Sequence, residues 1–264
     1  MSRSSIHQAC PGAVQFAFGM NPPSVARMRV FAGPNGSGKT TLMEQLAKSI
    51  NLYQIVSADK LLESLPVSKA LDFADHALTV RQEDFERYIA QCSYPASLRN
   101  GLSLALVRNN RLDLGRAEIN TYTVAIVAAF LRDRLLREGL SFSFETVFSH
   151  PSKVAELEQA AKRGYRVYLY FVSTDTPAIN CDRVEQRVKM GGHAVPRGKI
   201  RSRYEPSMRN LLPALKCVYR AYMFDNSRRE PDLVAEVEPG RKDLVLRTSQ
   251  VPIWFNRYVL EQLA

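Results

Sequence analysis

The sequence predicts a three-layer α/β/α fold around a parallel sheet, and three observations carry that expectation. Met28–Phe31 reads as a strand, Gly33-Pro34-Asn35-Gly36-Ser37-Gly38-Lys39-Thr40-Thr41 follows as a glycine-rich turn, and Leu42–Leu46 continues as a helix. Further along, strand-like runs alternate with helix-like runs, the pattern of a parallel sheet covered by helices. Composition is that of an ordinary globular chain, with 45% hydrophobic and 23% charged residues among 264, enough to bury a full core.

Gly33 through Thr40 fit the pattern GxxxxGK[ST]. In such a loop the glycines let backbone amides converge on phosphate oxygens, and the following helix points its partly positive N-terminus at them. The fold class is therefore that of a P-loop NTPase, and the expected ligands are ATP and Mg²⁺. Gly33, Pro34, Asn35, Gly36, Ser37, Gly38 and Thr41 would surround the phosphates, with Lys39 reaching the β and γ groups and the Thr40 hydroxyl ligating Mg²⁺.

Each later element has its own signal. Tyr53–Val56 is a short strand ending at Ser57-Ala58-Asp59. The stretch from Lys60 to Leu140 reads as wholly helical, with helical periodicity at Phe85, Tyr88 and Ile89 and again at Val124, Val127, Ala128, Leu131 and Leu135. Breaks fall near Pro66, Pro95 and Gly101, and residues 66–120 form a helical insertion. Gly139 closes a helix before the strand Phe142–Phe148, and the helix Ser152–Arg163 leads to the strand Tyr165–Val172. Helices Ala178–Met190 and Pro196–Arg209 meet at Gly191-Gly192-His193 and make a lid over residues 178–210. The strand Cys217–Phe224 ends in Asp225-Asn226-Ser227, and short strands Leu233–Val237 and Leu244–Arg247 follow. Residues 1–27 read as a flexible leader, with Met28 an alternative start, and residues 28–264 as a single domain.

Ligands of such sheets bind at the carboxyl ends of the strands, so residues just after strands are the ones to weigh. Asp59 sits where an acceptor hydroxyl beside the triphosphate would meet it. A carboxylate there can take the hydroxyl's proton or hold a water of the Mg²⁺ shell, and an N-cap is the plain alternative. Glu145 lies in an apolar, aromatic strand, where a lone buried acid is costly. It can bind substrate hydroxyls together with Thr146 and Ser149, act as a degenerate Walker B acid near Mg²⁺, or form a core ion pair.

The net charge of +10 calls for a polyanionic partner: nucleotide phosphates, nucleic acid or an acidic membrane surface. Between Cys181 and Asn210 eight Lys or Arg face three Asp or Glu, half of the excess. Arg183, Arg187, Lys189, Arg197, Lys199, Arg201 and Arg203 flank the glycine hinge, an arrangement suited to an arginine-rich lid that closes on a γ-phosphate. The same helices could track a nucleic-acid backbone, or be two solvated faces. Cys10, Cys92, Cys181 and Cys217 are scattered without CxxC spacing, so neither zinc nor a disulfide framework is expected, and a cytoplasmic location fits. No run approaches the ~18–20 apolar residues of a membrane helix.

Taken together, Gly33–Thr41, Ser57-Ala58-Asp59, Phe144-Glu145-Thr146-Val147-Phe148-Ser149, and Arg187 to Leu211 with its Gly-Gly-His-Ala-Val-Pro core resemble the zeta-toxin group of P-loop kinases. The similarity runs from Met28 to Ser227 apart from the stretch Pro66–Asn120. It implies an ATP-dependent kinase of a small hydroxyl-bearing substrate, a UDP-activated amino sugar in that group, restrained by a small antitoxin protein. By motif it places Asp59 as catalytic base and Glu145 and Thr146 in the substrate strand. Lys39 and Thr40 fall at phosphate and Mg²⁺, and Arg187, Arg201 and Arg203 in the phosphate clamp. Ser57 stands where the group commonly has Asn. Two other function classes share the loop: an ATPase or nucleotide switch without an acceptor, and a nucleic-acid end-kinase using the basic lid.

Overall fold

The computed structural model describes residues 25–239 and 243–263, so most of the predicted leader, Cys10 included, lies outside the described residues. The elements run β1 (Arg27–Ala32), α1 (Lys39–Ala47), β2 (Gln54–Val56), α2 (Ala58–Ser68), β3 (Ala70–Asp72), α3 (Gln82–Gln91), α4 (Ala96–Arg99), β4 (Leu106–Arg108) and β5 (Arg111–Asp113). They continue as α5 (Thr121–Arg137), β6 (Phe142–Thr146), α6 (Ser152–Lys162), β7 (Arg166–Ser173), α7 (Pro177–Lys189), α8 (Arg197–Arg209) and α9 (Leu211–Leu215). The chain closes with β8 (Arg220–Asp225), β9 (Asp232–Val237), β10 (Leu244–Leu246) and α10 (Ile253–Tyr258).

The main sheet has the order β10-β9-β8-β7-β1-β6-β2. Five strands from β2 to β8 pair in parallel, and the two that follow add antiparallel at one edge. β1 is central and its side chains alternate between two cores, as a strand covered on both faces requires. Met28, Val30 and Ala32 join Phe142, Phe144, Leu169 and Phe171 in the larger core. Phe31 joins Tyr170, Val172 and the α1 residues Leu42 and Met43 in the smaller one. The layers are thus unequal, with α5, α6, α9 and α10 contributing to the larger core and α1 to the smaller. Among the described residues no helix is long and apolar enough to cross a membrane.

The stretch after α2 departs from the wholly helical expectation. β3, β5 and β4 make a three-stranded antiparallel sheet within it. Asn109 and Asn110 both have left-handed backbone, φ 50° and 61°, and turn the chain from Arg108 to its partner Arg111. Two consecutive positive φ values make the two-residue hairpin turn that matches strand twist, and asparagine tolerates them better than other side chains. Asn110 also ties the insertion together: its carbonyl accepts from Phe73 N at 3.0 Å, its Oδ1 from Val80 N at 2.9 Å, and its Nδ2 donates to Leu78 O at 2.8 Å. Nor does Pro66 end a helix, since it lies inside the last turn of α2.

Asn110→Ala removes two side-chain hydrogen bonds and strains a left-handed position. It is expected to lower unfolding free energy by about 2–4 kcal/mol, measured by urea denaturation; a loss below about 0.5 kcal/mol, the size of an ordinary surface change, would contradict this account of the hairpin.

Candidate active site

The loop between β1 and α1 is shaped by what crowds it. Gly33 has φ 140°, and a Cβ there would collide with the carbonyl oxygen of Val172 on β7. At Gly38, φ 99°, a Cβ would strike Nδ2 of Asn226, which donates to Ser37 O at 2.8 Å. The loop is therefore pressed between β7 and the segment after β8, and Asn226 fixes it from the far side. Asn35 Oδ1, Ser37 Oγ, Asn180 Nδ2 and Arg183 Nη1 are buried around it without a hydrogen-bond partner among the described residues. Unmet polar groups clustered at a helix N-terminus suit a phosphate chain.

Lys39 Nζ donates to Gly33 O at 2.9 Å and Pro34 O at 2.8 Å, holding the ammonium across the mouth of the loop. Burial pulls its pKa down to about 8, with Arg187 acting the same way and Glu145 and Asp59 opposing. Thr40 Oγ1 donates to Glu145 Oε2 at 2.9 Å. Burial raises the Glu145 pKa, while Lys39 and the Thr40 hydroxyl pull the other way. A hydroxyl and a carboxylate paired beside a phosphate loop are a donor set for Mg²⁺, which keeps several waters and takes one or two carboxylates besides phosphate oxygens.

Asp59 stands in the first turn of α2. The N-cap belongs to its neighbour Ser57, whose Oγ accepts from Lys60 N at 3.2 Å, so the carboxylate of Asp59 is not engaged in capping. It is exposed and lines the same cavity as Lys39, Thr40, Glu145 and Thr146. That cavity measures about 1030 Å³. Thr146 Oγ1 accepts from Phe148 N at 3.1 Å, which turns the chain after β6 and leaves Ser149 on the wall.

Of the lid residues, Arg187 and Arg203 line the cavity and Arg201 does not. Arg201 is exposed on α8, away from the cavity lining. Residues two apart on a helix lie on opposing sides, so α8 cannot turn both Arg201 and Arg203 inward. Arg187 Nη2 donates to His193 O at 2.8 Å, which closes the turn between α7 and α8. Arg197 faces outward and pairs with Glu185 and, at 3.6 Å, Asp182. The cavity also takes Arg183, already placed among the lid cations, and Asn226 after β8, together with Arg132, Lys153 and Tyr94, which no motif had placed in a site. Arg183 and Arg187 are four apart on α7, a spacing that could have paired them from the sequence.

The AAA domain family (AAA_33) matches residues 28–203, from β1 through the loop, Asp59 and Glu145 to Arg203. The chain belongs to this family. An uncharacterized protein of Haemophilus influenzae is 27% identical over 93 residues, 35% of this chain and 59% of that protein. The crystal structure of AvrRxo1-ORF1:AvrRxo1-ORF2 with sulphate ions superposes at TM-score 0.53 and 14% identity, covering 85% of this chain and 61% of that one. The AAA-domain chain thus spans about three fifths of the length of either relative. The PezAT chromosomal toxin-antitoxin system of Streptococcus pneumoniae matches at TM-score 0.47 and 15% identity, over 92% of this chain and 81% of that chain, too loosely to argue from. The AAA-domain assignment and the mostly parallel sheet give this chain a P-loop α/β fold, the fold that its resemblance to the zeta-toxin group implies.

Because the folded state depresses the Lys39 pKa to about 8, that lysine holds fewer protons folded than unfolded between about pH 8 and its ordinary value of 10.5. Its charged form therefore opposes folding at neutral pH, and the penalty fades as pH rises. Lys39→Met should be more stable than the parent chain at pH 7, and the gap should narrow toward pH 10. Urea unfolding at pH 7, 9 and 10 measures it; a gap that widens would refute the assignment.

Proposed function

We propose that this chain is an ATP-dependent phosphotransferase that moves the γ-phosphate to a hydroxyl of a small substrate. One observation carries the reading: a single cavity of about 1030 Å³ joins the phosphate loop, Asp59, Glu145 and the lid arginines, with room beyond them for an acceptor. Phosphoryl transfer needs positioning and charge stabilisation more than covalent chemistry, and these side chains are of that kind.

The loop amides and Gly33–Thr41 hold the triphosphate. Lys39 exchanges the carbonyls of Gly33 and Pro34 for β- and γ-phosphate oxygens, and those charges hold it protonated. Thr40 and Glu145 are the residues that would hold Mg²⁺, which supplies neutralisation of charge on the phosphates when bound. Asp59 accepts the proton of the attacking hydroxyl. Arg187 and Arg203 stabilise charge that builds on the transferred group, and Thr146 orients the acceptor. The resemblance puts a UDP-activated amino sugar first among acceptors to try and a small antitoxin protein first among partners. ATP-consuming chemistry suits the cytoplasm.

Asp59→Asn keeps the shape and removes the base. Phosphate transfer from γ-labelled ATP should fall by about 10²–10⁴-fold while nucleotide affinity, read by fluorescent-nucleotide titration, stays unchanged. Transfer by Asp59→Asn at the parent rate would sink the role of Asp59, and phosphate release with no labelled acceptor from a broad panel would favour an ATPase instead.

A further inference from the structure

The cavity wall carries two cations, on α5 and α6, that the transfer chemistry does not use. Thr121, Ala125, Ala128 and Arg132 form one stripe of α5 that lines it, at the spacing of a single helical face. The two alanines leave space, and Arg132 closes the stripe. Arg132 is 7% exposed, and its guanidinium stacks 4.6 Å from the Phe144 ring, next in sequence to Glu145. Its Nε donates to Glu156 Oε1 at 2.6 Å, and Lys153 Nζ donates to Glu156 Oε2 at 2.9 Å.

Two cations thus share one carboxylate, and the cluster keeps a net positive charge. Both oxygens of Glu156 are occupied, and no hydrogen bond among the described residues takes the Nη groups of Arg132. Burial alone would raise the Glu156 pKa, but Arg132 and Lys153 overcome it and bring it down to about 2, so the carboxylate stays ionised. Burial lowers the Lys153 pKa and Arg132 adds to it, while Glu156 opposes both. A partly buried excess cation on a cavity wall is costly unless an anion meets it. Tyr94, from the segment between α3 and α4, lines the same cavity and donates to Ala125 O at 3.3 Å.

We propose that Arg132 and Lys153, oriented by Glu156, form an anion subsite for the acceptor, so that the substrate carries a phosphate or carboxylate group as well as its reacting hydroxyl. Lys153 and the Nη groups of Arg132 bind the anion, while Phe144 and Glu156 fix the guanidinium plane. The segment holding Tyr94 then belongs to acceptor recognition. The proposal rests on the phosphotransferase reading for the identity of its ligand, but its charge site is testable without turnover.

The first arm dialyses labelled inorganic phosphate against the full chain saturated with ADP. The parent and Lys153→Arg should hold a phosphate that Lys153→Gln binds about 10–100-fold more weakly; equal uptake by the parent and Lys153→Gln overturns the subsite. Circular dichroism melting of Lys153→Gln, together with rescue by Lys153→Arg, separates lost charge from lost fold. The second arm offers γ-labelled ATP with a hexose, its 6-phosphate and its uronic acid, with a nucleoside and its 5′-monophosphate, and with a UDP-activated amino sugar. Label should go to anionic members, the preferred one telling phosphate from carboxylate, and Lys153→Gln should raise that acceptor's KM at least tenfold with the KM for ATP unchanged. Equal use of neutral and anionic acceptors overturns the subsite and leaves the kinase standing. A Lys153-dependent phosphate site with no labelled acceptor sinks the kinase and supports the subsite.

Discussion

Parallel pairing of β1 with β6 sets Phe31 opposite Glu145, and the hydrogen bond from Thr40 to Glu145 depends on that register. Side chains alternate along a strand, so a slip of one residue would turn Glu145 toward the larger core and bring Phe144 to the loop. The two phenylalanines that flank Glu145's neighbour Ser143 make such a slip costly. Phe142 and Phe144 are fully buried, and burying each contributes roughly 1.5–3 kcal/mol. Apolar packing thus holds a carboxylate beside the hydroxyl that opens α1. The polar pair is specified by the hydrophobic pattern around it.

A second constraint reaches the loop from the C-terminal side. Trp254 of α10 is buried, its Nε1 donates to Asp225 Oδ1 at 2.9 Å, and Ser227 Oγ donates to the same oxygen at 2.7 Å while accepting from Asp175 N at 2.8 Å. This knot fixes the ends of β7 and β8 relative to each other. Between its members Asn226 reaches Ser37 O. Residues far beyond the family match at 28–203 therefore shape the phosphate loop, and the buried network is satisfied at each of these contacts.

Much of the fold was legible because local rules sufficed. The phosphate loop, β6, β7 and the two lid helices announced themselves through glycine spacing, aromatic and β-branched runs, and flanking prolines. The hairpin of β4 and β5 was not legible, because Asn109-Asn110 lacks the glycine that marks such turns and the strands are three residues each. A motif names Arg187, Arg201 and Arg203 together, whereas α8 sorts its charges by face and only Arg203 of its two lines the cavity. Arg132 and Lys153 escaped for a related reason. A cation on a helix ordinarily points to water, and only the tertiary meeting of α5 with α6 at Glu156 shows that these two do not.

Phe148 ties the end of β6 to α8. A buried phenylalanine with φ 63° is a strained conformation that persists only where its surroundings over-determine it. Here α8 and the residue after it supply the restraint, since Ser207 Oγ donates to Val147 O at 2.6 Å and Asn210 Nδ2 to Phe148 O at 2.8 Å. Tyr204 adds a hydrogen bond from its hydroxyl to Thr174 O, after β7. The C-terminal half of α8 is therefore pinned to two strand ends, while Lys199 and Arg203 from its inward face look into the cavity. The turn between α7 and α8 falls in residues 190–196, where the backbone of Gly191 is left-handed at φ 89° and a Cβ on Gly192 would meet Arg187 Cγ at 2.6 Å. The glycines at that turn and the strain at Phe148 answer one requirement, that a basic helix be held at one end and turned sharply at the other.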